Sequence, residues 1–236
     1  MRILLIVLSL FACFPAFGKD KLSVNMQRVV GIDDSISRNM DAVQAKLLEF
    51  AKDASKGPID IVIDSPGGSV FTGFQFVNAM EEVKGKGITL RCFVSGIAAS
   101  MAFQILVHCN ERYALSRSFL LWHGVRTGVR EPITASSAAA LHADLASIDK
   151  VIMKELKGSL ELPEATILFH FNQETLHIGD NLALLCPNFI STHAYIPNLS
   201  EALHSKDVVR NSASSAPFFS FGGNADEGIQ YIYRGR

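Results

Sequence analysis

Apolar positions along the chain switch repeatedly between two spacings. Residues 24–32 read as a first strand, and residues 35–52 as a helix. In the latter, Ile36, Met40, Val43, Leu47 and Phe50 recur at three- and four-residue intervals, which lays one apolar stripe along a helix. Lys56-Gly57-Pro58 breaks it. Residues 59–64 form a short β-branched strand, and the unbroken run Ile61-Val62-Ile63 predicts burial on both faces, as in a parallel sheet. The turn Ser65-Pro66-Gly67-Gly68-Ser69-Val70 follows directly. A helix over 71–83 then carries Phe74, Val77 and Met80 on successive turns, and Gly85-Lys86-Gly87 ends it. Residues 88–94 are the next strand. They lead into Ser95-Gly96-Ile97-Ala98-Ala99-Ser100 and an apolar helical run from Met101 to about His108. Brief strands are expected at 112–115 and 118–123.

The second half is more helical. Residues 132–157 carry Ala138, Leu141, Leu145, Ile148, Ile152 and Leu156 three or four apart. Pro132 and Thr134 open this helix and Gly158 closes it. It is longer than most globular helices, a length suited to packing on a partner. A further helix is expected over 162–171. A mixed stretch follows to about 194, with a short strand near Phe189-Ile190, and residues 205–236 read as a linker-like tail. Strands alternating with helices imply an α/β fold with a mainly parallel sheet. Sites in such sheets gather beyond the carboxyl ends of the strands. That selects three loops: 65–69, 95–100 and 123–128.

Composition narrows the picture. The chain has 236 residues, 48% hydrophobic and 19% charged, which suits one globular domain, placed here at residues 19–204. A net charge of −1 with scattered basic residues gives no footprint for nucleic acid. Past the N-terminal segment, no apolar run reaches the roughly 18 residues of a membrane span. Residues 1–18 are different: Arg2, the apolar run 3–12, and small residues at Ala16 and Gly18 follow the order of a secretory signal peptide cleaved after Gly18. Two other readings stand beside it: a lipoprotein leader ending before Cys13, and a buried first element. Export implies a periplasmic or secreted protein, lipid-anchored if Cys13 is modified. After cleavage at Gly18 three cysteines remain: Cys92, Cys109 and Cys186. Cys92 and Cys109 flank Ser100 and either pair in an oxidising compartment or stay as buried thiols. No Cys/His spacing matches a zinc site, and neither metal nor cofactor is expected.

The candidate chemistry starts at Ser100. It stands between a strand and a helix, where first-turn N–H groups lack helical partners and the helix dipole is positive. A nucleophile there has donors for an oxyanion beside it. A plain N-cap role for Ser100 fits the same residues. His123, 23 residues later, ends a strand, either as a general base or as a structural residue beside Trp122.

With the three loops assembled, the sequence resembles the ClpP family, the proteolytic subunit of the Clp protease, in the wider ClpP/crotonase superfamily. The match rests on Ile63-Asp64-Ser65-Pro66-Gly67-Gly68-Ser69-Val70, on Gly96-Ile97-Ala98-Ala99-Ser100-Met101, and on residues 116–123 ending in His123. The resemblance implies a ClpP/crotonase-like α/β fold with a projecting handle helix at about 132–157. It implies peptide hydrolysis through an acyl-enzyme, with Ser100 as nucleophile, His123 as base, and the N–H groups of Gly68 and Met101 as oxyanion hole. It also implies a peptide or protein substrate and a homo-oligomer assembled through the handle.

The sequence departs from the family in one member. An aspartate is expected about 50 residues after the histidine. That window reads Phe169-His170-Phe171-Asn172-Gln173-Glu174-Thr175-Leu176-His177. Glu174 is the first choice to orient His123, Asn172 the second and Asp180 the third. Met101-Ala102 replaces the usual Met-Gly, and Leu185-Cys186-Pro187 replaces a glycine-containing exit near the C-terminal strand. Export would part the chain from ATP and from a Clp unfoldase, so no ATPase partner is expected. Signal peptide peptidases of the same superfamily use a lysine base, and no lysine here matches that role. The alternative function is a catalytically weak or inactive ClpP-fold protein kept for binding. A crotonase-like acyl-CoA enzyme ranks third, because it needs no Ser/His pair.

Overall fold

The computed structural model describes residues 22–128, 132 and 134–212. The leader with its cleavage site and Cys13, and most of the expected tail, lie outside the described residues. The chain order is β1 (Val29–Ile32), α1 (Asp41–Phe50), β2 (Ile59–Ser65), α2 (Val70–Gly85), β3 (Leu90–Ala99), α3 (Met101–Val107), β4 (Glu111–Leu115) and β5 (Phe119–Leu121). Then come α4 (Ala135–Leu160), α5 (Glu164–Gln173), β6 (His177–Ile178), α6 (Gly179–Leu185), β7 (Ser191–His193), α7 (Leu199–His204) and β8 (Val209–Arg210).

These strands form one sheet in the order β6-β5-β3-β2-β1-β8, with β4 and β7 branching from β3. Every pairing is parallel except β5 with β6. This is the α/β architecture that the alternation of strands and helices predicts. β3 runs five residues past its predicted end and serves two neighbours in turn. Arg91 to Val94 pair with β4, and Ile97 to Ala99 pair with β5. The sheet therefore splits along β3, and the gap opens beside the turn that holds Ser100.

Side chains alternate across the sheet with the two-residue period of a strand. Val30, Ile32, Ile61, Ile63, Cys92 and Val94 join the larger core, which includes Met40, Val43 and Leu47 at α1, Phe76 and Met80 of α2, and Phe103 and Leu106 of α3. Val29, Val62 and Phe93 point the other way, into a smaller core with Val24, Leu199 and Ala202. Both faces of β2 are thus covered, as the run at Ile61–Ile63 predicts. Asp60 is the exception within β2. It is fully buried, and both its carboxylate oxygens accept from Arg91, each at 2.7 Å, while Asn25 N–H donates to Oδ2 at 2.6 Å. A buried carboxylate persists only when its lone pairs are answered in this way.

α4 has 26 residues, about 39 Å at 1.5 Å per residue. Thr134 and Ser137 close a reciprocal capping box at its start. Its buried residues are Ile152, Leu156 and Leu160, all in the second half, so the first half projects from the body. Past 204, the expected domain end, the chain stays in the fold. Val209 and Arg210 pair with β1, and the buried Asn211 holds the backbone of residues 33–35 through four hydrogen bonds. A two-residue strand carries too little periodicity to be read from sequence. Among the described residues no helix is long and apolar enough to cross a membrane.

Candidate active site

The loop after β2 is held by one backbone bridge. Ile36 N–H donates to Gly67 O at 2.8 Å, and Ser69 N–H donates to Ile36 O at 2.7 Å. Ser65 Oγ, fully buried, donates to Asp34 O at 2.7 Å. Gly67 and Gly68 take φ values of +95° and +149°, which side-chain-bearing residues rarely adopt. A Cβ on Gly68 would lie 2.7 Å from Ile36 N. The bridge spends the Gly67 carbonyl and the Ser69 N–H on either side of Gly68, and Gly67 N–H donates to Ser65 Oγ at 3.2 Å. Among the described residues no acceptor takes the Gly68 N–H.

Ser100 joins β3 to α3 with φ +55° and ψ −123°. A serine in that region stores strain on the order of 1–3 kcal/mol, and such residues persist where surrounding contacts fix them. Here Ser100 N–H donates to Leu121 O at 2.9 Å and Gln104 N–H to Ser100 O at 3.2 Å. Upstream, the half-buried Asp64 accepts from Ile97 N–H at 2.9 Å, which steers β3 into the turn. Ser100 occupies the N-cap position, yet its side chain makes no capping hydrogen bond. The N-cap role read as an alternative is therefore not in use, and Oγ is left to the cavity. Met101 opens α3, so its N–H is one that the helix does not satisfy.

β5 pairs with the end of β3, Ala99 opposite Leu121, and this register brings His123 to the serine turn. Behind it Trp122 is buried. Its Nε1–H donates to Ile167 O at 3.3 Å, and its ring stacks on His177 with centroids 4.7 Å apart. The indole fixes the strand end from which the His123 ring emerges. A cavity of about 190 Å³ is lined by Gly68, Ser100, Met101, Gln104, His123 and Arg126, among others. The structure thus brings four predicted residues, Ser100, His123, Gly68 and Met101, to one cavity. No hydrogen bond joins Ser100 Oγ to His123 among the described contacts.

None of the three candidates for orienting His123 bonds to its ring among the described contacts. His123 Nδ1 faces Gly124 O at 2.6 Å. Glu174 ends α5 and forms an ion pair with Arg126. Asn172 lines a groove between α4 and α5, and Asp180, in the first turn of α6, is bonded through its N–H to Ser116 O. Burial lowers the His123 pKa from 6.5. The Gly124 bond opposes this, Arg126 adds to it and Asp149 opposes it. Asp149 and Gln104 are not among the residues that the sequence singles out. Asp149 stands on the apolar seam of α4, three residues before Ile152, where a charge is out of place. That was the available signal.

A second network ties α4 to the site. The buried Gln104 donates to Glu155 of α4. Glu155 also approaches His108 Nε2 at 3.5 Å, and His108 Nδ1 meets Glu81 of α2 at 2.9 Å. Burial works against protonating His108, but Glu155 and Glu81 outweigh it and hold its pKa above 6.5. Just past the same end of α3, Cys109 is joined to Cys92 in a disulfide, with Cα atoms 5.9 Å apart, enclosing the segment that carries Ser100. Cys186 is a buried free thiol.

A family model described as Clp protease matches residues 20–173, which includes the three loops. The ATP-dependent Clp protease proteolytic subunit 2 of Bacillus licheniformis is 30% identical over 116 residues, 48% of this chain. The chain spans 60% of that relative's length in the match. With a match covering more than half of its residues and a fold of the corresponding kind, the chain belongs to the Clp protease family.

Proposed function

We propose that the protein is a serine peptidase that cleaves peptides or unstructured polypeptide through an acyl-enzyme. The observation that carries this is the strained Ser100, its side chain without a capping bond, sharing a cavity with His123, Gly68 and Met101. Ser100 Oγ attacks the scissile carbonyl. His123 takes the hydroxyl proton and returns it to the leaving amine. The N–H groups of Gly68 and Met101 receive the oxyanion, and losing one such donor costs about 3–4 kcal/mol of barrier. Water then hydrolyses the ester by the same route. The exposed half of α4 is the surface proposed to assemble copies of the chain.

The test is labelling with a fluorophosphonate. Wild type should label at one site per chain and Ser100→Ala should not. Equal labelling of both would discard the reading. The absence of a Ser100–His123 hydrogen bond favours a second reading, a fold kept for binding. Turnover of an unstructured peptide that disappears in Ser100→Ala excludes it.

The enzyme is further proposed to act outside the cytoplasm, possessing no ATPase partner there. The leader-like order of residues 1–18 supports this, and so does the Cys92–Cys109 bond, which suits an oxidising compartment. Intact mass of protein recovered from the producing cell should show a chain beginning at Lys19. A mature chain that retains Met1 and collects with cytoplasmic proteins would reject export.

A further inference from the structure

We infer that Asp149 of α4 is the positioning residue of His123 and acts through the peptide unit between Gly124 and Val125. The inference rests on the catalytic reading of Ser100 and His123. Two hydrogen bonds meet on that one peptide. Its carbonyl, Gly124 O, lies 2.6 Å from His123 Nδ1, and its N–H, on Val125, donates to Asp149 Oδ1 at 2.8 Å. A carbonyl oxygen only accepts, so Nδ1 carries the proton and Nε2 is left bare on the side chain's other edge. That is the tautomer a base for Ser100 requires. The carboxylate polarises the peptide, and linked hydrogen bonds of this kind strengthen one another. Gly124 O is thereby a better acceptor for the imidazolium proton formed during the reaction.

The geometry leaves little freedom. A Cβ on Gly124 would lie 3.1 Å from the Phe171 ring and 3.4 Å from Asp149 Oδ2, so α4 and α5 close on the loop together. Asp149 is three residues before Ile152 and seven before Leu156, on the face of α4 that is buried. The other charges near the His123 loop are Arg126, paired with Glu174, and Glu155, which is engaged by Gln104 and His108. Among the described residues Asp149 is the carboxylate that accepts from the backbone of the loop. Burial, the largest influence on His123, disfavours its charged form, and Asp149 works against that. The aspartate that residues 169–177 lack is thus replaced from α4, one peptide away from the ring.

The experiment follows the ring nitrogens of His123 by ¹⁵N NMR in the full chain, in wild type and in Asp149→Asn. Asparagine keeps an acceptor for Val125 N–H and removes the charge. The expected result is a lower His123 pKa, an added Nε2–H population, and a fluorophosphonate labelling rate about tenfold lower at neutral pH. Asp149→Glu should recover part of that rate, which a loss of packing alone would not allow. Val125→Pro, which removes the donor and leaves the carboxylate, should shift the tautomer the same way. A His123 whose pKa and tautomer are unchanged in Asp149→Asn overturns the inference. Wild type that fails to label overturns the peptidase reading instead, and the NMR arm still decides the role of Asp149.

Discussion

Replacing His123 by alanine is expected to lower kcat/KM toward an unstructured peptide by about 10⁴- to 10⁶-fold, the loss seen when a serine hydrolase is deprived of its base. Without a base the Ser100 hydroxyl keeps its proton at neutral pH and is a poor nucleophile. No other titratable side chain among the cavity residues can substitute. The Arg126 guanidinium offers only donors, and the Gln104 amide is not a base. The same histidine is expected to set the acid limit of the wild type. It works only when neutral, and burial, reinforced by Arg126, brings its pKa below 6.5 despite Gly124 and Asp149. The neutral form therefore persists into mildly acidic solution, and the acid limb of kcat/KM should fall at a pH below 6.5. Rates measured from pH 4 to 9, with Ser100→Ala as the blank, check both points. A His123→Ala enzyme within tenfold of wild type, or an acid limb above pH 7, would contradict the assignment.

The parts of the site that could be read in the sequence are those whose cause is local. The turn after β2 is announced by its own Pro66-Gly67-Gly68, and Ser100 by its place between an apolar strand and an apolar helix. His123 needed the family resemblance, because a histidine ending a strand has no distinctive local signature. The residue orienting it was sought about 50 positions downstream, where the family keeps an aspartate. Glu174 instead pairs with Arg126, which stands three residues after His123. Asp149 was invisible for a physical reason. It reaches the loop only because α4 folds back with Ile152 and Leu156 buried, and that packing is tertiary. β8 was missed similarly: Val209 and Arg210 are a strand because β1 offers an unpaired edge, not because two residues show a period.

A covalent restraint and a hydrogen-bonded one converge on the serine turn from opposite ends. The disulfide ties the start of β3 to the residues just after α3, and the Ser100–Leu121 bond ties the turn to β5. α3 itself has only seven residues, all buried, so it has no free face on which to shift. Such a site is fixed by its surroundings more than by hydrogen bonds among its own side chains. That accounts for a strained Ser100 whose Oγ is committed to no protein partner.

That dependence makes Gly67 a sensitive position outside the reacting groups. Gly67→Ala should lower stability by about 3 kcal/mol or more, through positive-φ strain of about 1–3 kcal/mol together with an overpacking cost of similar size. In a chain of this length that corresponds to a fall in Tm of roughly 6–12 °C. The new Cβ would lie 2.5 Å from Ala99 O, 2.6 Å from Ser100 Cβ and 2.8 Å from Met101 N. Two of these are backbone atoms and none is the end of a flexible side chain, so the turn itself must move. A displacement near 1 Å at the nucleophile costs on the order of a hundredfold in rate. The control is Gly57→Ala. Gly57 also has positive φ, +83°, but no atom lies within 4 Å of its Cβ position. It should lose only about 1 kcal/mol and keep wild-type labelling. Thermal melts and fluorophosphonate labelling rates of the two variants separate the effects. Equal losses in both would mean that backbone strain alone matters and that Gly67 does not support Ser100.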